Sequence, residues 1–373
     1  MANDINALTY FQQLHALQQQ STTVRRETGV AQLIKQLSNL QTGELDPLLP
    51  YVHQQISDNT LNQNGQSNAM LALHFKGTIP AEIAMLTWRH SMHQTGLDIS
   101  LGVSVDEIII RQVPVRIYKP ANHQTKRNSA IVYYHGGGFI GGSINITEGF
   151  IKLLAQYSGA IVFSVDYHYA PEFSAKKTIS EAVAILDDIQ KNAAKFQIDT
   201  QAISLFGDSS GANLVMAIIQ TLIAEHRMTL KQTILAYPVI TLDEQQYLQL
   251  AATDSVVALN RQGQKKTPFR QKLAMVQEVY LQNNFSSTNP LVSPFNMSQD
   301  VAAAFPRTLI ITAELDDLRP HSKALADLLS QAGVSVQQLY YANVTHAFLN
   351  DTGVLPQAQD AAWETGLWLH QSI

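Results

Sequence analysis

The 373-residue sequence contains no cysteine, which removes disulfides and thiolate metal sites from consideration. It also lacks any dense Lys/Arg stretch; "RQGQKK" (261–266) is the nearest, and the net charge is −5. Nucleic acid is therefore not expected as a partner. No apolar run approaches the ~20 residues needed to cross a bilayer, so no membrane span is expected. "MANDINALTY" has neither the basic nor the apolar region of a secretory signal. Together these absences point to a cytoplasmic protein. The length suits one large domain with a smaller attachment.

What is present divides near residue 104. Residues 1–104 are rich in Gln and Asn, yet apolar residues recur at helical spacing: Leu8, Phe11, Leu14 and Leu17, then Val30, Leu33, Ile34, Leu37 and Leu40. That spacing predicts amphipathic helices, interrupted at 43–50 and 62–68, with a further helix over 80–95 opened by Pro80. From about 105 the period changes. "DEIIIRQVPVRIYKP" alternates as two short strands would, with Arg111 and Gln112 between them. Apolar, β-rich runs follow at 130–134, 160–165, 202–206, 232–236, 308–312 and 335–340. Helical patterns fall near 147–158, 177–194, 210–225, 320–332 and 357–371. This alternation predicts a mostly parallel sheet covered on both faces, the α/β class. Residues 240–300 hold helical stretches but no clear strand, which reads as a cap inserted into the 105–373 domain.

Two stretches carry chemistry. Gly207-Asp208-Ser209-Ser210-Gly211 fits G-x-S-x-G between an apolar strand and an apolar helix. A serine on so tight a turn is held in a strained conformation with its Oγ exposed, close to a helix N-terminus. Serine is a weak nucleophile at neutral pH and needs a base, which needs an orienting acid. Asp316 lies past the 308–312 strand, with Asp317 and Glu314 as rivals, and His346 follows the next strand. His321 opens a helix and His370 sits in the last one, so His346 is the expected base. The second stretch is "YYHGGGFIGG" (133–142), five glycines in ten positions behind a strand. Acyl transfer builds an oxyanion on the substrate carbonyl, and aligned backbone N–H groups stabilise it. Gly137 and Gly138, with the N–H of Ser210, are the expected donors; side chains on 136–138 would obstruct that approach. His135 and Gly136 are expected to hold the loop, not to react.

These motifs resemble the hormone-sensitive-lipase-like (family IV) carboxylesterases of the α/β-hydrolase superfamily. HGGGF (135–139), GDSSG (207–211), "YP" (237–238), "NPLVSP" (289–294), "AELDDLR" (313–319) and "THAF" (345–348) carry the likeness over roughly 105–373. "DYHYAPE" (166–172) is similar to the family's D-Y-R-L-A-P-E, with His168 and Tyr169 in place of Arg and Leu. Ser210 stands where Ala is usual, and Asp317 where Pro is usual. The resemblance implies an eight-stranded, mostly parallel sheet with a helical cap drawn from the N-terminal helices and 240–300. Asp208 and Glu172 are then structural neighbours of the site.

The expectation is a serine esterase for short- to medium-chain acyl esters, with no metal or organic cofactor. Ser209, His346 and Asp316 are its expected catalytic residues. Amide, lactone or formamide hydrolysis uses the same machinery. A small-molecule receptor, as the plant gibberellin receptors are on this fold, is the alternative from another class. The expected partner is a small acyl ester, with a homodimer left open.

Overall fold

A computed structural model describes residues 7–19, 21–26, 28–37, 40–46, 69–92, 96–123, 127–254 and 268–371. The break expected at 62–68, the second half (47–50) of that at 43–50, and residues 255–267 of the inserted segment lie outside the described residues. The chain opens with α1 (Ala7–Gln19), β1 (Ser21–Arg25) and β2 (Ala31–Lys35), followed by a helical segment at 69–75 and α2 (Ala81–His90). Strands β3 (Val103–Ile110), β4 (Val113–Pro120) and β5 (Asn128–Tyr134) lead into α3 (Glu148–Ser158) and β6 (Ile161–Val165). Next come α4 (Ala175–Lys191), β7 (Ile198–Asp208), α5 (Ser210–Ala224) and β8 (Gln232–Ala236). The inserted segment holds α6 (Glu244–Ala252) and α7 (Pro268–Val276), which continues as a wider turn over Gln277–Leu281. Then β9 (Arg307–Leu315), α8 (Arg319–Gln331), β10 (Val336–Thr345) and α9 (Pro356–His370) close the fold.

The strands form one sheet in the order β1-β2-β10-β9-β8-β7-β5-β6-β4-β3. Pairings from β2 through to β6 are parallel, while β1–β2, β4–β6 and β3–β4 are antiparallel. Parallel neighbours need crossovers, and the helices supply them on both faces. The strands are accordingly apolar on both sides. On β5, Ile131 and Tyr133 join Phe150, Leu153 and Trp368 beneath α3 and α9. Val132 and Tyr134 point the other way, into a core with Ile185, Met216 and Leu325. Each such buried side chain contributes roughly 1.5–3 kcal/mol of transfer free energy. Arg111 and Gln112 both take positive φ (51° and 68°) in the β3–β4 hairpin, the backbone of a two-residue turn matched to strand twist.

The N-terminal expectation needs correction. The first helix forms, with Tyr10, Leu14 and Leu17 buried in α1 and Phe11 exposed, and the one expected over 80–95 forms as α2; the second does not. Residues 31–35, read as helical, are instead strand β2, parallel to β10 and paired with β1. The reason is tertiary. Without them β10 would present an open edge of unpaired N–H and C=O groups, and pairing with β2 satisfies that edge. Spacings of three and four do not distinguish a helix from a strand whose flanks, Val30 and Leu37, are also buried. The sheet therefore has ten strands rather than eight, with β3–β10 as its core and β1–β2 added.

The hairpin is riveted down. The buried Lys35 ammonium donates to the Leu17 carbonyl (2.8 Å), lies 3.5 Å from Asp360 Oδ2 and pairs with Glu364 on α9. Tyr10 of α1 donates to Gln359 Oε1 on the same helix (2.8 Å). Residues 7–19, 21–26 and 28–35 thus pack with the sheet and α9. The 69–92 segment approaches the inserted segment: His74 Nε2 lies 3.0 Å from Glu278 Oε2. No helix among the described residues is long and apolar enough to cross a membrane.

Candidate active site

β7 ends at Asp208 and α5 begins at Ser210, so a single residue, Ser209, turns the chain from strand to helix. Its φ of 54° and ψ of −117° are strained for a residue with a side chain, a strain concentrated at functional turns. The Ser209 N–H donates to Ala236 O (2.9 Å), which ties the turn to β8. Gly211 is obligatory: a Cβ there would lie 2.0 Å from the Tyr134 carbonyl oxygen, because α5 starts hard against the end of β5.

The loops after β9 and β10 meet this turn. His346 Nε2 lies 3.0 Å from Ser209 Oγ, and His346 Nδ1 lies 2.7 Å from Asp316 Oδ2. The other carboxylate oxygen, Asp316 Oδ1, accepts the Leu318 N–H at 2.8 Å, so the buried carboxylate is fixed in rotation. Tyr237 packs edge-on to the imidazole with ring centroids 4.9 Å apart. Burial acts to lower the His346 pKa, but the charge and hydrogen bond of Asp316, with the Asp208 charge behind, outweigh it. The net shift is upward from the ordinary 6.5, while Lys272 pulls against it.

Asp317 and Glu314 are placed otherwise. Glu314 is buried and accepts the Asn343 N–H (2.8 Å) and the Gly43 N–H (3.2 Å). Asp317 exerts its charge on Lys272. Of the other histidines, buried His321 accepts the Ile240 N–H through Nδ1 (3.2 Å), and His370 is exposed at the end of α9.

The glycine loop is bound to the same turn through Asp208. This buried carboxylate accepts from the Tyr133 hydroxyl (2.5 Å) and the Gly136 N–H (2.7 Å). Burial raises its pKa, and those two hydrogen bonds oppose the rise. The expected reason for the glycines needs amendment, because each faces protein. A Cβ on Gly137 (φ 142°) would lie 2.0 Å from Gly141 O, and one on Gly138 (φ 63°) 2.8 Å from Trp88 Cζ2. A coiled loop and a tryptophan packed against it exclude side chains there. His135 is bonded within the loop. Its Nδ1–H donates to Gly136 O (2.7 Å), and its ring stacks on Tyr167 at 4.5 Å. The Tyr167 hydroxyl in turn donates to His135 O (2.6 Å).

Glu172 lies at the surface, where Arg89 of α2 grips it (2.7 and 3.1 Å). Arg89 also donates to Ala170 O (2.5 Å) and to Ile140 O, at the far end of the glycine loop. Sequence reading missed Trp88, Arg89 and Lys272. They lie in segments legible only as helices, and nothing local marks which helical residue will meet the loop. Tyr167 was findable, as part of "DYHYAPE".

A family model described as the alpha/beta hydrolase fold matches residues 131–350, a span containing the glycine loop, Ser209, Asp316 and His346. The chain belongs to the α/β-hydrolase fold family. Among curated hydrolases of this kind it is similar to an acetyl esterase of Salmonella typhi, 29% identical over 250 residues, 67% of this chain and 73% of that one. Among solved structures, an ester hydrolase (EH1AB1) from the metagenome of Lake Arreo aligns with a TM-score of 0.68 and 21% identity. That alignment covers 87% of this chain and 98% of the other. A hyperthermophilic esterase from the archaeon Pyrobaculum calidifontis aligns with a TM-score of 0.66 and 24% identity, over 87% and 98% of the two chains. These structural likenesses are of fold. Arg89, Trp88 and the β1–β2 hairpin lie outside the residues that the family model matches.

Proposed function

We propose that this hydrolase is a serine carboxylesterase of the hormone-sensitive-lipase-like (family IV) branch, acting on short- to medium-chain acyl esters. The observation that carries the reading is the linked series Ser209 Oγ, His346, Asp316, at 3.0 and 2.7 Å, on a turn with positive φ. The acetyl esterases it resembles support ester hydrolysis as the reaction class.

Ser209 Oγ attacks the ester carbonyl carbon while His346 Nε2 takes its proton. The Asp316 charge steadies the imidazolium so formed, in keeping with its upward pull on the His346 pKa. The carbonyl oxygen becomes an oxyanion, received by the N–H groups of Gly137, Gly138 and Ser210. Collapse of the tetrahedral intermediate breaks the C–O bond, and His346 delivers the proton to the departing alcohol. Water, deprotonated by His346, then attacks the acyl-enzyme by the same route and frees the acid and Ser209. Ser210 in place of the family's usual Ala leaves this role intact, since only its backbone N–H is needed.

Residues 69–92 and the inserted segment form the cap in this reading. Phe139 of the glycine loop stacks obliquely on Tyr280 at 4.5 Å, and Lys272 lies over Trp88 at 5.2 Å. Such closure leaves a pocket of limited depth and favours short to medium acyl chains. Ser209→Ala decides the matter. It should abolish hydrolysis of a p-nitrophenyl ester series and labelling by an organophosphate, with circular dichroism unchanged. Turnover persisting in the folded variant would move the nucleophile elsewhere.

A further inference from the structure

Lys272 is the residue that esterase chemistry leaves unexplained. It stands on α7, and its ammonium lies 5.2 Å from the centre of the Trp88 ring. The same ring packs against Gly138, one of the candidate oxyanion donors. Its charge reaches His346, where it opposes Asp316. The ammonium thus stands beside the glycine loop, within electrostatic reach of His346.

Its partners fall short of what such a position requires. Among the described residues Lys272 has no hydrogen bond and no ion pair, only the Trp88 face and the more distant charge of Asp317. Burial works against its charged form and lowers its pKa. A half-buried ammonium without an acceptor among the described residues is costly, and native proteins keep such groups where something satisfies them. Arg89, the other cation close to the glycine loop, is fully occupied by Glu172 and two carbonyls. Buried Asp208 and Asp316 lie near His346 and would repel an anionic substrate. A cation over Trp88 offsets that repulsion.

We propose that the Lys272 ammonium is the counter-ion for a carboxylate carried by the substrate, so that the site takes acidic esters such as half-esters of dicarboxylic acids. The inference rests on the esterase reading. It adds the substrate class that the motifs leave open.

The test compares kcat/KM for matched anionic and neutral esters in two arms. The acyl arm uses p-nitrophenyl hemiglutarate against p-nitrophenyl pentanoate. The alcohol arm uses the acetate of p-hydroxybenzoate against that of p-hydroxybenzamide. In one arm the wild type should prefer the anionic ester. Lys272→Gln should lower the anionic-to-neutral ratio about tenfold or more, the scale of one charge-assisted hydrogen bond. Lys272→Arg should retain most of it, and Lys272→Glu should invert it. The arm that responds tells which part of the ester carries the carboxylate. Equal ratios in wild type and Lys272→Gln in both arms overturn the proposal. So does a wild-type ratio below one in both arms, a result that needs no variant to fold. Failure of the wild type to hydrolyse any of the four esters would sink the esterase reading itself, whereas neutral turnover with no anionic preference sinks only this inference.

Discussion

Replacing Asp316 by Asn tests the site most sharply, because the structure dictates how the new amide must sit. Asp316 Oδ1 accepts the Leu318 N–H at 2.8 Å, and only an oxygen can take that place. The Asn oxygen therefore stays on Leu318 and the amide NH2 faces His346 Nδ1, where Oδ2 now lies at 2.7 Å. An NH2 donor there requires Nδ1 to be the acceptor. The imidazole proton moves to Nε2, the nitrogen 3.0 Å from Ser209 Oγ, which then cannot receive the serine proton. The variant loses both the correct tautomer and the charge that steadies the imidazolium. A loss of about 10⁴-fold in kcat is the expected scale for that combination, or about 5.4 kcal/mol of transition-state stabilisation. The assay is kcat on a chromogenic short-chain ester, with Asp317→Asn alongside. Nitrogen NMR in a Ser209→Ala background reads the tautomer and should find the His346 pKa moved downward by the loss of the carboxylate. A folded Asp316→Asn enzyme within tenfold of wild type, or a larger loss in Asp317→Asn, would refute the reasoning.

Three other outcomes follow from the same coordinates. His346 must be neutral to act as base and its pKa is raised above 6.5, so kcat/KM should climb with pH through a midpoint above that value; a midpoint well below 6.5 would contradict the Asp316 pairing. Arg89→Ala frees Ile140 O, Ala170 O and Glu172 together. It should lower kcat by roughly tenfold or more with little change in KM, since a loosened loop misplaces oxyanion donors; a loss of stability with kcat intact would reduce Arg89 to a structural clamp. Lys35→Ala removes the cation beside Asp360, which burial already pushes up to about 6. The cost by urea unfolding should be roughly 3–5 kcal/mol, and a cost under about 1 kcal/mol would show that the hairpin is an appendage.

The sequence by itself determined the framework of the candidate site, because each part is encoded locally. A strand buried on both faces must be apolar throughout, so β5 to β10 and their crossover helices could be read from runs such as Ala130–Tyr134. The G-x-S-x-G turn needs Gly211 wherever a helix begins against a neighbouring strand, and the order Ser209, Asp316, His346 follows from which strand ends face one another. Tertiary structure decided the rest. Val30 to Leu37 bears apolar residues at helical spacing, and the open edge of β10 drew it into the sheet through backbone hydrogen bonds that side-chain periodicity does not record. Asp316 and Asp317 are adjacent carboxylates on one loop, and only the packing of that loop sends the first to His346 and the second toward Lys272. Trp88, Arg89 and Lys272 acquire their positions from contacts between segments far apart in the chain. A helix pattern reveals that such residues exist, but the meeting of α2, α7 and the glycine loop exists only in the folded molecule.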